Sequence, residues 1–131
     1  MNIVVNGTFD IVHRGHIKML NYAKSLGEYL LVCIDSDQRV AQLKGPSRPI
    51  NNQFDRQFLL SNLKSVDKVC IFNSKEELEY ILESYKPDIM VKGSDYKDKP
   101  IVGQHLCKEI KFFDIVDEYS TTKTIQRITN R

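Results

Sequence analysis

A chain of 131 residues, 41% hydrophobic and 27% charged, is long enough for one domain around a single core. Its net charge of +2 is too small to argue for a nucleic-acid partner, and no apolar run approaches the roughly 20 residues that cross a bilayer. Cys33, Cys70 and Cys107 are odd in number and hold no CxxC pair, which argues against a disulfide framework or a thiolate zinc site and for the reducing cytoplasm. The first residues carry neither the charged leader nor the cleavage site of a signal peptide.

In chain order, Ile3, Val4, Val5 and Asn6 read as a first strand. Residues 16–26 follow as a helix, with Ile17, Leu20, Ala23 and Leu26 on one face and Gly27 placed to end it. Residues 29–34 are continuously apolar, as a strand covered on both faces requires. Asp35, Ser36 and Asp37 offer an N-cap to a short helix ending at Leu43. Gly45, Pro46 and Pro49 mark residues 44–52 as a loop. A helix is expected over 53–63, with Phe54, Phe58, Leu59 and Leu63 on its apolar stripe, and a third strand over 68–72. Ser74 and Glu77 form a capping box for a helix reaching about Tyr85. Then come a fourth strand over 89–91, a polar loop over 92–103 and a short helix over 104–109. A fifth strand over 110–116 and a last helix over 121–128, capped by Ser120, close the chain. This alternation predicts one α/β domain over residues 1–131, Rossmann-like and doubly wound, with a mostly parallel five-stranded sheet and helices on both faces. Open sheets of this kind bind ligands at the carboxyl ends of their strands. The segments after strands one, two, four and five are therefore expected to converge on one crevice.

The densest signal is Gly7-Thr8-Phe9-Asp10-Ile11-Val12-His13-Arg14-Gly15-His16. It stands where the first strand turns into the first helix. A helix N-terminus has unpaired N–H groups and a positive dipole end, and so accepts anions. Two imidazoles at that end suggest a site that grips a phosphate while charge moves on it. Three further segments carry candidate binding chemistry. Lys44 and Arg48 sit on the Gly/Pro loop, where they are placed to close over phosphates, and Arg56 opens the helix that follows. Lys92-Gly93-Ser94-Asp95-Tyr96 ends a strand in a tight turn suited to a base edge or a sugar. Tyr119-Ser120-Thr121-Thr122-Lys123 opens a helix with hydroxyls that cap and also bind anions.

The ten-residue stretch resembles the GTFDxxHxGH motif of the cytidylyltransferase-like nucleotidylyltransferases. Those enzymes join a nucleoside triphosphate to a phosphorylated small molecule and release pyrophosphate. The resemblance implies that His13 and His16 contact the triphosphate and stabilise the transition state, and that Lys44 reaches the reacting phosphates. It also implies nucleotide contacts from Gly7, Thr8, Phe9 and Gly15, from Lys92, Gly93 and Asp95, and from Tyr119, Ser120, Thr121 and Thr122. For Phe9 a plain core role is equally expected. Asp10 is expected to hold a histidine or cap the first helix, and Asp10, Asp37, Arg48 and Arg56 to serve the acceptor. No side chain is read as a metal ligand. Mg²⁺ is expected to arrive with the triphosphate, keeping several of its waters. A homodimer is expected by resemblance alone.

Three segments, residues 43–51, 65–69 and 86–96, together with Tyr119 to Ile125, look like the adenylyltransferase domain of ADP-heptose synthases. Those enzymes transfer AMP from ATP to a heptose 1-phosphate. Glycerol-3-phosphate cytidylyltransferases share the histidine motif but usually carry Arg-Thr-Glu-Gly before Ser-Thr-Thr-Lys, where this chain has Val116-Asp117-Glu118-Tyr119. Ser94 stands where the heptose enzymes commonly have a second glycine. ATP with a sugar 1-phosphate is the favoured pair, with CTP and a polyol phosphate second. A non-catalytic nucleotide-binding module is the reading from another class. A tRNA-handling fragment would need an RNA-binding surface, and a dehydrogenase would need a GxGxxG after strand one; neither is present.

Overall fold

The computed structural model describes residues 1–114 and 121–130. Among them, β1 (Asn2–Gly7), β2 (Tyr29–Asp35), β3 (Lys68–Phe72), β4 (Ile89–Gly93) and β5 (Glu109–Phe113) form one sheet in the order β3-β2-β1-β4-β5. Every pairing is parallel. The helices are α1 (Arg14–Ser25), α2 (Asp37–Lys44), α3 (Gln53–Ser61), α4 (Lys75–Tyr85) and α5 (Thr121–Thr129). The chain winds outward from β1 to β3, then crosses back to lay β4 on the other side of β1. The topological switch point therefore lies between β1 and β4, where open sheets bind their ligands.

Side chains alternate across β1, and that alternation builds two cores. Ile3 and Val5 pack with Leu20 and Ala23 of α1 and Leu60 of α3. Val4 points the other way and packs with Leu78 and Leu82 of α4. Helices thus cover both faces, as the alternating sequence predicts. Cys33 is buried in the second core, and all three cysteines are free thiols. Among the described residues, no helix is long and apolar enough to cross a membrane.

Several local expectations change in instructive ways. Helix α1 ends on Leu26 in right-handed geometry, so Gly27 does not terminate it by a left-handed turn. Gly27 is there for space: a Cβ would lie 2.5 Å from the carbonyl oxygen of Met1. The expected helix over 104–109 is a single 3-10 turn, Gln104–Leu106, because Gly103 is left-handed (φ +80°) and Cys107 is extended. The last strand ends at Phe113 rather than Val116, and residues 115–120 lie outside the described residues. In α3 the face is reversed. Phe54 and Phe58 are 67% and 73% exposed, whereas Arg56 and Leu60 are buried. The reason is Arg56, whose hydrogen bonds fix which side of the helix turns inward.

Candidate active site

A crevice of about 610 Å³ opens at the carboxyl ends of β1, β2 and β4. Its floor is the turn from β1 into α1. His13 is the N-cap of α1, in extended geometry. Its Nδ1 accepts from the backbone N–H of Gly15 at 3.1 Å. The Nδ1 of His16 in turn accepts from the N–H of His13 at 3.3 Å. The two imidazoles do for this helix what a Ser/Glu capping box does elsewhere. The rings stack at 3.8 Å between centroids, 20° from parallel. Each ring uses Nδ1 as an acceptor, so in the neutral form the proton of each sits on Nε2.

Burial disfavours charge on both rings. It lowers the pKa of His13, and it takes His16 down to about 3, with the neighbouring His13 adding to the shift. The site at neutral pH is therefore a pair of neutral N–H donors. The stability linked to His16 is complete above pH 6.5, its unfolded pKa. It drains as pH falls toward 3, because the unfolded chain takes up a proton the folded one refuses. Stability should decline by up to about 1.4 kcal/mol per pH unit across that window. Urea midpoints at several pH values test this: the parent should lose stability more steeply than His16→Asn, and equal slopes would overturn it.

Phe9 props the pair from beneath. It is 4% exposed, its ring lies 4.9 Å from that of His16, and its φ is +51°. Positive φ is strained for a bulky residue and persists only where packing enforces it. Gly7 makes the packing possible, since a Cβ there would approach Phe9 to 3.1 Å. Phe9 is thus a core aromatic that also lines the crevice.

Asp10 has another task than the two expected of it. It neither holds a histidine nor caps α1, which His13 does. Its carboxylate is buried and accepts from Ile50 N (2.8 Å), Asn51 N (2.8 Å) and Arg48 Nε (3.2 Å). It clasps the loop after α2 onto the crevice, and this occupancy argues against a direct contact with the acceptor. Arg48, so held, has its Nη2 buried without a hydrogen-bond partner among the described residues. Asn6 Oδ1, also in the crevice wall, is in the same state. An unmet donor and an unmet acceptor cost about 1–3 kcal/mol each until a ligand meets them.

Arg56 does not point into the crevice as expected. It is 1% exposed and acts as a strut. Nε donates to Asn51 O, Nη1 to Thr8 O and Asp35 O, and Nη2 to Asp37 Oδ1, at 2.7 to 3.0 Å. Asp37 is its ion-pair partner and likewise does not line the crevice.

The fold brings Gly7, Thr8, Phe9, Asp10, His13, His16, Lys44, Arg48, Lys92, Gly93, Asp95 and Thr122 to one crevice. Gly15 contributes its N–H to the cap rather than a wall. Thr121 begins α5, while Tyr119 and Ser120 lie outside the described residues. Lys92 comes up beneath Tyr96, with Nζ 4.3 Å from the ring centroid. Burial lowers the Lys92 pKa, and Asp35 and Asp95 oppose that shift. Sequence reasoning missed Asn6 and Arg39 as lining residues, and expected Asp35 there only as part of the segment after strand two. The polar end of an apolar strand was a signal for Asn6, and the i, i+4 spacing of Asp35 and Arg39 for that pair.

The cytidylyltransferase-like family profile matches residues 4–128, nearly the whole chain. The chain belongs to the cytidylyltransferase-like family. Its relatives include the bifunctional protein HldE of a Nitratiruptor species, 48% identical over 126 residues, covering 96% of this chain and 27% of the relative. The bifunctional protein HldE of Campylobacter jejuni (strain RM1221) is 46% identical over 129 residues, covering 98% of this chain and 28% of the relative. The chain therefore spans about a quarter of the length of these relatives. A solved structure, the lipopolysaccharide core biosynthesis protein from Thermoplasma volcanium GSS1, superposes with a TM-score of 0.72 at 28% identity, over 88% of this chain and 98% of that one. In this cytidylyltransferase-like chain the motif histidines are thus also the helix cap.

Proposed function

We propose that the chain is a nucleotidylyltransferase that transfers AMP from ATP to a sugar 1-phosphate of the heptose type and releases pyrophosphate. The observation that carries this reading is the pair of neutral imidazoles at the α1 N-terminus, at the switch point of the sheet. The 46–48% identity to HldE proteins supports the choice of ATP and a heptose phosphate.

An oxygen of the acceptor phosphate attacks the α-phosphorus in line, a new P–O bond forms, and the bond to the pyrophosphate oxygen breaks. No base is needed, because the acceptor phosphate is already ionised at neutral pH. What the reaction needs is fixed geometry and donors aimed where negative charge grows. His13 and His16 offer Nε2–H groups locked by the helix cap. Because the rings are neutral, they add no fixed positive charge that would hold the ground state as tightly as the transition state. Lys44 and Arg48 serve phosphates from the β2 side, Lys92 and Lys123 from the β4 side.

Mg²⁺ carried by the triphosphate fits the donor set. The described residues hold no cluster of three or more ligating side chains. Asp95 still places a carboxylate in the crevice, and Mg²⁺ needs only one or two beside phosphates and waters. When bound, it would neutralise charge on the departing pyrophosphate. A homodimer, carried by resemblance alone, and the reducing cytoplasm, carried by the unpaired cysteine pattern, belong to the same reading.

Pyrophosphate release with Mg²⁺ tests the proposal, crossing ATP and CTP with heptose 1-phosphate and glycerol 3-phosphate. Turnover with ATP and the heptose phosphate is expected. Turnover confined to CTP and glycerol 3-phosphate would replace the substrates and keep the chemistry. Nucleotide binding without turnover on any pair would make the chain a binding module.

A further inference from the structure

We propose that Asp35 and Arg39 form a subsite for the hydroxyl groups of the acceptor, selecting a polyhydroxylated sugar phosphate over a shorter polyol phosphate. The proposal rests on the transfer reaction above and assigns the part of the crevice that chooses its acceptor.

Asp35 is the last residue of β2, and its side chain is 11% exposed. Oδ1 accepts from Arg39 Nε at 2.8 Å, and Oδ2 from Thr8 Oγ1 at 3.2 Å. Arg39 lies in the first turn of α2, with its guanidinium carbon 5.5 Å from the centre of the Phe72 ring. Both side chains line the crevice. A carboxylate accepts about four hydrogen bonds, and the protein supplies two here. Arg39 uses only Nε, and its terminal NH₂ groups make no hydrogen bond among the described residues. The pair is a prearranged acceptor beside a prearranged donor, each fixed by contacts that a ligand need not displace.

Its place decides what it meets. The other charged groups around it suit phosphate: Lys44, Arg48, Lys92 and Lys123 all line the same crevice. A carboxylate repels phosphate, so Asp35 must face a neutral part of the ligand rich in donors, which means hydroxyl groups. In-line attack places the acceptor and the leaving pyrophosphate on opposite sides of the α-phosphorus. The histidines follow central β1. Lys92 stands next to the last residue of β4 on one flank of β1, and Asp35 ends β2 on the other. With the nucleotide toward β4 and α5, the acceptor lies toward β2. There Lys44 and Arg48 take its phosphate, and Asp35 with Arg39 its hydroxyls. A site built to bind a hydroxyl strongly rejects an analogue without it, because its own polar groups are then left unpaired.

The test is kinetic and calorimetric, on Asp35→Asn and Arg39→Gln. Asn keeps the shape and an oxygen for Arg39; Gln keeps the length of a helical residue. Each variant is expected to raise the KM for heptose 1-phosphate by about tenfold or more, leaving the KM for ATP unchanged. Monodeoxy analogues supply a readout that a merely structural role would not move. At least one of them should bind the parent weakly, and bind parent and Asp35→Asn alike. A rise in the ATP KM with an unchanged acceptor KM would overturn the proposal in favour of ribose recognition. Lowered unfolding midpoints in both variants, without an acceptor-specific effect, would overturn it as well. If the parent turns over no acceptor, the reaction proposal has failed, and calorimetric titration of heptose 1-phosphate decides the subsite separately. Binding that weakens in Asp35→Asn supports the subsite; equal or absent binding removes it.

Discussion

Replacing His16 with asparagine is expected to lower kcat by about 10²–10³-fold while leaving nucleotide affinity and folding near those of the parent. The expectation comes from the two nitrogens of one ring having different tasks. Nδ1 accepts the N–H of His13 and closes the α1 cap. Nε2 carries the proton that meets the developing charge in the proposed reaction. An asparagine oxygen falls close to the position of Nδ1 and keeps the cap, but nothing replaces the Nε2–H. His16→Ala would lose both, confounding a helix defect with a catalytic one. Loss of a cap costs about 0.5–2 kcal/mol. The measurements are steady-state kinetics, calorimetric nucleotide binding and an unfolding curve on each variant. Parent-like turnover in His16→Asn would remove His16 from the chemistry. An equal loss of nucleotide affinity would show that it binds the ground state as firmly as the transition state.

The largest effect on folding is expected from Arg56→Leu, a loss of about 3–5 kcal/mol. Leucine fills much of the space but leaves three carbonyls and one carboxylate without their donor. Those are Asn51 O, Thr8 O and Asp35 O, with Asp37 Oδ1 as the fourth. They belong to the turn after β1, the end of β2, the start of α2 and the loop before α3. One guanidinium thus ties together the segments that carry Thr8, Asp35 and the loop bearing Arg48. Arg56→Lys should recover little, since one ammonium cannot match a planar fork aimed at several acceptors. Denaturant unfolding monitored by circular dichroism reads the effect. A midpoint within error of the parent would sink the strut assignment.

How far the sequence led can be followed through individual residues. The elements were legible where a local rule sufficed. Ser36 and Ser74 cap α2 and α4 as expected, accepting from Arg39 N and Glu77 N. The apolar run of β2 lies buried between its neighbours. The histidine motif was legible as part of a crevice at a helix N-terminus because its turn and helix are contiguous in sequence. Local rules failed where a side chain's partner is distant. The clasp of Asp10 is closed by residues 38 to 41 positions away. The burial of Arg56 depends on carbonyls that converge only once β1 and β2 are paired, which is why the Phe54 and Phe58 stripe was read as the inner face. The tautomers of His13 and His16 were hidden for another reason: they follow from cap geometry, not from composition.

At the far end of the sheet, Met1 meets the start of β2. Its carbonyl accepts from Glu28 N, and its amino group pairs with the exposed Glu28 carboxylate. The six residues of β1 separate that end from the crevice by about 20 Å. An affinity tag joined ahead of Met1 would leave the molecule on the side away from the histidines. It would disturb little beyond a solvent-exposed ion pair, which contributes little to stability. Protein immobilised on a sensor chip through its amino terminus would then present the crevice to the flow, so that weak binding of small phosphates could be measured without the anchor competing for the site.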